Sequence, residues 1–270
     1  MSLSPPPASV LHAFGVEGPA VPLAGGQGDA FRAGPYVLKP AADADEVAWA
    51  GEILADLPRQ GFRTPRYVQS VLGAWTVDGW FAQAFVDGSH ATDRWLEVLE
   101  VCDAFHRALA GIARPEFMAR RTNPWCVADR MAWEEIPLVY SVALAPLVAP
   151  LAEQLAPVTL PDQVIHGDFT ENVLFGPPPP AVIDFTPYYR PALFARAIVV
   201  VDAVAWGGAD VALLDPFADE PEGGQMLLRA ELRRLLEIDQ QFRQFGRDRF
   251  DQAAAHRPLV ELLVRRQAAG

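Results

Sequence analysis

The sequence predicts an α+β fold: a small antiparallel β-rich N-terminal part carrying one helix, then a larger, mainly helical C-terminal part. Three observations predict it. Apolar runs rich in β-branched and aromatic residues, punctuated by Gly and Pro, crowd the first third of the 270 residues; that punctuation marks short strands. Downstream, 94–111 and 226–245 carry apolar positions at helical spacing, and 192–206 is a long apolar run. Set among these helices, VIHGDFTENVLF at 164–175 and AVIDF at 181–185 read as short buried strands. The boundary is placed where Asp87-Gly88 breaks the last N-terminal strand, giving lobes of 1–87 and 88–270.

In chain order, the Pro-rich start, Ser4 to Ala8, predicts disorder. Gly25, Gly26 and Gly28 form a Gly-rich turn, and Ala30-Phe31-Arg32 leads through a second turn to Tyr36-Val37-Leu38-Lys39. This is a hairpin with a flexible tip that ends in a lysine. Glycines let backbone N–H groups approach phosphates, and a lysine on the next strand can pair with them. The spacing fits neither G-x-G-x-x-G nor a Walker A motif. Residues 43–57 predict a helix capped by Asp43 or Asp45. Glu46, Ala50, Ile53 and Leu57 share its buried stripe, whereas Glu52 falls with Asp45, Ala48 and Asp56 on a solvent-facing one. Two further strands are expected at 67–72 and 80–86. In the C-terminal part, Pro137, Pro146 and Pro150 break the apolar stretch 136–156, which argues against a membrane span. Residues 192–206, interrupted by Arg196 and Asp202, suit a buried helix, and 226–245 an amphipathic surface helix with Arg and Glu on its polar side.

Twenty-two basic against 34 acidic residues give a formal charge of −12. That balance argues against a nucleic-acid partner, which an acidic surface repels. Cys102 and Cys126 lie far from any CxxC or His cluster and read as buried free thiols of a reducing compartment. With no basic-then-apolar leader, the expected location is cytoplasmic.

The chemistry concentrates at Asp168, Asn172 and Asp184, each at the end of a short apolar run. Three such oxygen donors can hold Mg²⁺, a hard cation, and leave one carboxylate to accept a proton. That is the equipment of phosphoryl transfer. His166, just ahead of the turn, suits either a functional role or a brace. The pattern apolar–HGD–x3–N–apolar, a Gly/Pro turn, then apolar–D–F resembles the catalytic and metal loops of the aminoglycoside-phosphotransferase-like kinases, relatives of the protein kinases. Two features depart from the kinase pattern. Asp168 and Asn172 are four residues apart, where the protein-kinase loop has five, and Thr186 stands where DFG has Gly.

The resemblance implies a bilobal protein-kinase-like fold, with ATP as co-substrate and Mg²⁺ as cofactor. It implies that Asp168 is the catalytic base and that Asn172 and Asp184 are the Mg²⁺ ligands. Lys39 then aligns the phosphates under Gly25, Gly26 and Gly28, with Glu46 preferred over Glu52 as its partner. Ala84 and Val86 take the hinge position, whose main chain binds adenine. Segments after the metal aspartate help build the acceptor pocket in that family, which singles out Tyr188, Arg190 and Asp202. Tyr188 and Arg190 equally suit lobe packing and pairing with a buried acid. The excess of acids between Asp202 and Asp239 suits either a site for cationic acceptors or a solvated surface. The segment 186–191 is closer to bacterial kinase-like proteins outside the well-known resistance enzymes, so the expected acceptor is a small-molecule hydroxyl, aminoglycoside-like or another metabolite. A nucleotide-binding pseudokinase and a protein kinase are the alternatives; the chain has no obvious H-R-D or A-P-E segment. A metal-dependent hydrolase ranks behind them, since no H-x-H or HExxH spacing is present.

Overall fold

The computed structural model describes residues 4–23 and 28–269. The chain divides into two compact units, Met1–His90 with Val173–Phe185, and Ala91–Asn172 with Thr186–Gly270. The sequence boundary at 87/88 left the hairpin 173–185 with the C-terminal part; in the structure it clusters with the first unit. Its contacts explain why. Ser89 and Phe175 exchange backbone hydrogen bonds of 2.8 and 2.9 Å, and Arg63 donates from its amide to the Pro180 carbonyl and accepts from the Val182 amide.

The first unit is built on an antiparallel sheet of β1 (Val21–Pro22), β2 (Phe31–Ala33), β3 (Tyr36–Pro40), β4 (Tyr67–Val68) and β5 (Trp80–Ala84), in the order β1-β2-β3-β5-β4. Side chains alternate across a sheet, so one face carries Phe31, Ala33, Leu38, Val68, Trp80 and Ala82. This face forms a core with Val10, Leu11, Phe14 and Val16. The short helix α1 (Ala8–Ala13) supplies the first two of those residues; the Pro-rich start read as disordered leads into it, with Pro6 buried and the Pro7 carbonyl accepting the Val10 and Leu11 amides at 3.0 and 3.2 Å. Lys39, one register position from Leu38 and opposite Phe81, lies on the other face. The strand expected at 67–72 ends at Val68, because Ser70 turns the chain by accepting the Ala74 amide at 3.0 Å, leaving Val71 and Leu72 exposed. Helix α2 (Ala44–Asp56) begins where predicted: the Asp43 carboxylate accepts the Asp45 amide at 2.9 Å and the Glu46 amide at 3.4 Å. Its buried stripe is Val47, Ala50, Gly51 and Leu54.

The second unit holds α3 (Trp95–Ala108), α4 (Pro124–Ala132) and α5 (Ala145–Ala152). β6 (Gln163–His166) follows, and the chain crosses into the first unit for the hairpin of β7 (Val173–Leu174) and β8 (Ala181–Val182). It returns as β9 (Pro187–Arg190), antiparallel to β6, and continues through α6 (Ala192–Ala205), α7 (Gly223–Phe245) and α8 (Arg257–Ala269). Helix α6 is buried along most of its length, as its apolar run predicts.

Helix α7 overturns the surface-helix expectation. Residues Gln225 to Gln241 are buried without a break, packed by α4, α5, α6 and α8. Its charged side chains find partners inside the protein. Arg229 donates to the Ala132 and Ala156 carbonyls, Arg233 pairs with Glu237, and Glu231 pairs with His256. No helix among the described residues is long and apolar enough to cross a membrane.

Candidate active site

In the first unit, β3 and β8 bring together two residues 145 positions apart. The Lys39 ammonium pairs with the Asp184 carboxylate. Burial pulls the Lys39 pKa down from 10.5 to about 8, and the charge of Asp29 opposes that fall. Asp184 follows β8 with φ +51°, a left-handed backbone that costs a non-glycine residue roughly 1 kcal/mol. Its neighbour Phe185 fixes the turn by stacking on Trp49 of α2, with ring centroids 6.0 Å apart. The Asp184 side chain keeps 40% of its surface exposed, against 17% for Lys39.

Glu46 sits in the first turn of α2, and its charge helps raise the pKa of the Tyr67 phenol, where burial is the larger cause. Glu52 is exposed. Gly25 and Gly26 lie outside the described residues. Gly28 has φ +75° with open space around it, so its backbone conformation, not crowding, asks for glycine. Of the hinge candidates, Ala84 spends its amide on the Arg66 carbonyl at 2.8 Å, which withdraws that donor from a ligand. Phe85 donates to Pro35 at 2.8 Å, and Val86 follows just beyond the strand.

In the second unit, the buried strand β6 delivers His166-Gly167-Asp168. His166 braces the turn: its Nδ1 accepts the Asp168 amide at 3.2 Å, and its own amide donates to His106 Nε2 at 3.0 Å. Gly167 donates to the Thr186 carbonyl at 2.9 Å, which gives the residue in place of the DFG glycine a backbone role. The ring of Tyr188 lies against Gly167, where an added Cβ would stand 2.2 Å from it. That ring is buried and cannot yield, so Gly167→Ala is expected to cost about 1–3 kcal/mol through overpacking. Urea unfolding of the variant checks this, and wild-type stability would refute it.

Asp168 follows with its side chain 53% exposed. Desolvation pushes its carboxyl upward, but Arg234, aided by His166 and Arg233, outweighs it and holds the pKa below the usual carboxylate value. Asn172 closes the loop: its amide nitrogen donates to the Asp168 carbonyl at 2.6 Å and its backbone amide to Phe169 at 3.1 Å. With the nitrogen so engaged, the side-chain oxygen is the atom left to face a cation.

The three acceptor-pocket candidates are buried and engaged with other side chains. β9 is a strand, so Tyr188 and Arg190 share a face, and that face is buried against α4. Arg190 grips Asp129 through two nitrogens, at 3.0 and 2.6 Å, and Glu135 through the third at 2.6 Å. Tyr188 packs beside Cys126 Sγ at 3.7 Å and under the Arg233 guanidinium, 4.5 Å from its ring centroid. Asp202 is buried and holds Arg234 at 2.8 and 2.5 Å. The polar groups of Arg190 and Asp202 are thus spent on partners inside the protein. Nor do the acids from Asp202 to Asp239 form one open acidic surface. Asp202, Glu231, Glu237 and Asp239 are buried and paired, Asp210 caps a 3-10 helix, and Asp215 pairs with Arg266.

Sequence reasoning missed Arg234, His106 and Asp129. A signal for the first was present: with Met226, Ala230 and Ile238 added to the leucines at 227, 228, 232, 235 and 236, apolar residues fall on every side of α7, which is the pattern of a buried helix.

A fold with a five-stranded antiparallel first unit, a helical second unit and an H-G-D loop followed by a hairpin aspartate defines a kinase-like phosphotransferase. The family model of the phosphotransferase enzyme family matches residues 20–191, and the chain belongs to that family. It is an enzyme that transfers a phosphoryl group to an alcohol. Solved structures share the fold. A thermostable mutant of aminoglycoside phosphotransferase APH(4)-Ia, in ternary complex with AMP-PNP and hygromycin B, is 17% identical over 97% of this chain and 98% of its own, with a TM-score of 0.60. A choline/ethanolamine kinase family protein from Mesorhizobium loti is 18% identical over 95% and 94%, with a TM-score of 0.60. A putative fructosamine-3-kinase from Thermobifida fusca is 19% identical over 97% and 98%, with a TM-score of 0.54. Comparison with curated proteins returns no match.

Proposed function

We propose that this enzyme transfers the γ-phosphoryl group of ATP to a hydroxyl of a small molecule. The observation that carries the reading is the Lys39–Asp184 pair. A half-buried ammonium and a left-handed, part-exposed carboxylate are poorly explained as scaffold. They are well explained as the group that grips phosphates and the group that grips their metal. Asp168 then orients the acceptor hydroxyl. The acceptor oxygen bonds to the γ-phosphorus, the bond to the ADP oxygen breaks, and the hydroxyl proton passes to Asp168.

The residues also fit Mg²⁺. Among the described residues no three His, Cys, Asp or Glu side chains gather as a metal cage. Mg²⁺ asks for less, since it takes one or two protein oxygens and fills its octahedron with phosphates and water. Asp184 and the Asn172 side-chain oxygen are the donors assigned here. When bound, the ion neutralises charge on the phosphates. In this reading Lys39 aligns the nucleotide, the Gly-rich turn ending at Gly28 covers its phosphates, and the Val86 main chain takes its base. The acceptor is left at the level of a small-molecule alcohol. The neighbours are named for three different acceptors, and the burial of four acids after position 200 removes the support for a polycationic one.

Thermal stabilisation by ATP with and without Mg²⁺, in wild type and Asp184→Asn, tests this. At a hundredfold excess over Kd, ligand linkage predicts about 2.7 kcal/mol of stabilisation for wild type with Mg²⁺. The variant should lose most of it. An equal Mg²⁺-dependent shift in both proteins would remove Asp184 from the metal site.

A further inference from the structure

We propose that Arg234 is a positioning residue for Asp168, a role that rests on the phosphotransfer reading above. Arg234 projects from the middle of α7 and is 6% exposed. All three guanidinium nitrogens are engaged. Nε and Nη2 donate to the two oxygens of Asp202 at 2.8 and 2.5 Å, and Nη1 donates to Glu237 at 2.9 Å. Nη2 then reaches Asp168 Oδ1 at 3.1 Å. Asp202 also accepts the Thr170 hydroxyl at 2.5 Å, so one buried carboxylate ties down both the guanidinium and the loop two residues past Asp168.

The arrangement exceeds what stability asks for. Asp202 and Glu237, the latter shared with Arg233, already supply one buried carboxylate for each of the two buried guanidinium groups, and a buried ion cluster is often no more stable than apolar residues of the same volume. The further contact goes to the one carboxylate of the group that is more than half exposed. A planar, rigid fork held at three corners fixes a donor in space better than a flexible ammonium does. A fixed donor on Oδ1 sets the rotation of the Asp168 carboxylate and leaves Oδ2 for the acceptor hydroxyl. Asp202, Glu237 and Thr170 act through Arg234 and the loop.

Three variants test this. Arg234→Lys keeps the charge but cannot span Asp202, Glu237 and Asp168 together. The double variant Arg234→Met with Asp202→Asn removes the pair with little buried charge left over. Thr170→Val cuts only the tie to the loop. Two readouts are taken on the full chain: hydrogen exchange of the peptide 164–175, and MgATP turnover with water as acceptor. Arg234→Lys is expected to lower kcat by about 10²-fold, the effect of misplacing a catalytic group by an ångström. KM for MgATP should stay within about twofold, since only transition-state geometry is lost. Exchange across 167–172 should accelerate about tenfold in Arg234→Lys and in the double variant, with Thr170→Val between them and wild type. A raised KM with unchanged kcat overturns the proposal, and so does unchanged loop exchange in the first two variants. Absence of Mg²⁺-dependent ATP binding by wild type would instead sink the phosphotransfer reading, and loop exchange would still report whether Arg234 fixes the loop.

Discussion

Asp168→Asn is expected to lower phosphoryl transfer by about 10³–10⁴-fold, near the upper end of what a general base contributes. The side chains are nearly isosteric, and an amide oxygen can still accept Arg234 Nη2 at the position Oδ1 occupies, 3.1 Å away. Loop geometry should therefore survive, held by Asn172 on the Asp168 carbonyl and by Gly167 on Thr186. What disappears is an oxygen that can take a proton, which Arg234 keeps ionised in the wild type. Because Lys39 and Asp184 are untouched, MgATP affinity should hold within about twofold and the whole loss should fall on kcat. Turnover is measured with water and with a panel of hydroxyl acceptors. An Asp168→Asn enzyme retaining a tenth or more of wild-type turnover would remove Asp168 as the base, and a large rise in Kd for MgATP would make it a nucleotide-binding group.

Much of the arrangement was legible because local chemistry decides it. Asp43 caps α2, alternation puts Lys39 opposite the core, and the Gly/Pro turn after Phe175 returns the chain to Asp184. For Tyr188 and Arg190 the sequence left two readings open, an acceptor pocket or packing with a buried acid, and could not choose between them. What would decide it for Arg190 is its counter-charge, Asp129, which lies 61 residues away in the sequence. Removing one partner from a buried pair of this kind costs about 3–5 kcal/mol, which is why the two acids and the arginine form one unit that no local window can see. Helix α7 misled for the same reason. Its arginines look solvent-seeking until Asp202, Glu134 and the carbonyl of Ala132 are placed beside them. The hairpin 173–185 clusters with the first unit through Ser89 and Arg63, backbone partners that side-chain patterns do not encode.

The second unit is expected to lose stability in mild acid through His106, which accepts the His166 amide of the strand leading to Asp168. Burial lowers the pKa of this imidazole from 6.5 to about 3, with a smaller opposing effect from its bond to the Cys102 carbonyl. Because Nε2 accepts the His166 amide at 3.0 Å, the ring is neutral with its proton on Nδ1, which donates to the Cys102 carbonyl at 2.7 Å. A proton on Nε2 would set donor against donor at β6. Between the unfolded pKa of 6.5 and the folded value of about 3, the unfolded chain binds a proton that the folded one refuses. Unfolding free energy therefore falls as pH drops through that window, by about 1.4 kcal/mol per pH unit, and is flat above it. His106→Gln keeps an acceptor and a donor without titrating there. Urea unfolding at pH 6.5 and pH 5 should cost wild type about 2 kcal/mol more than the variant over that interval. Equal losses would mean that His106 is not held neutral, and that the bond from the His166 amide to its ring does not anchor the strand that carries Asp168.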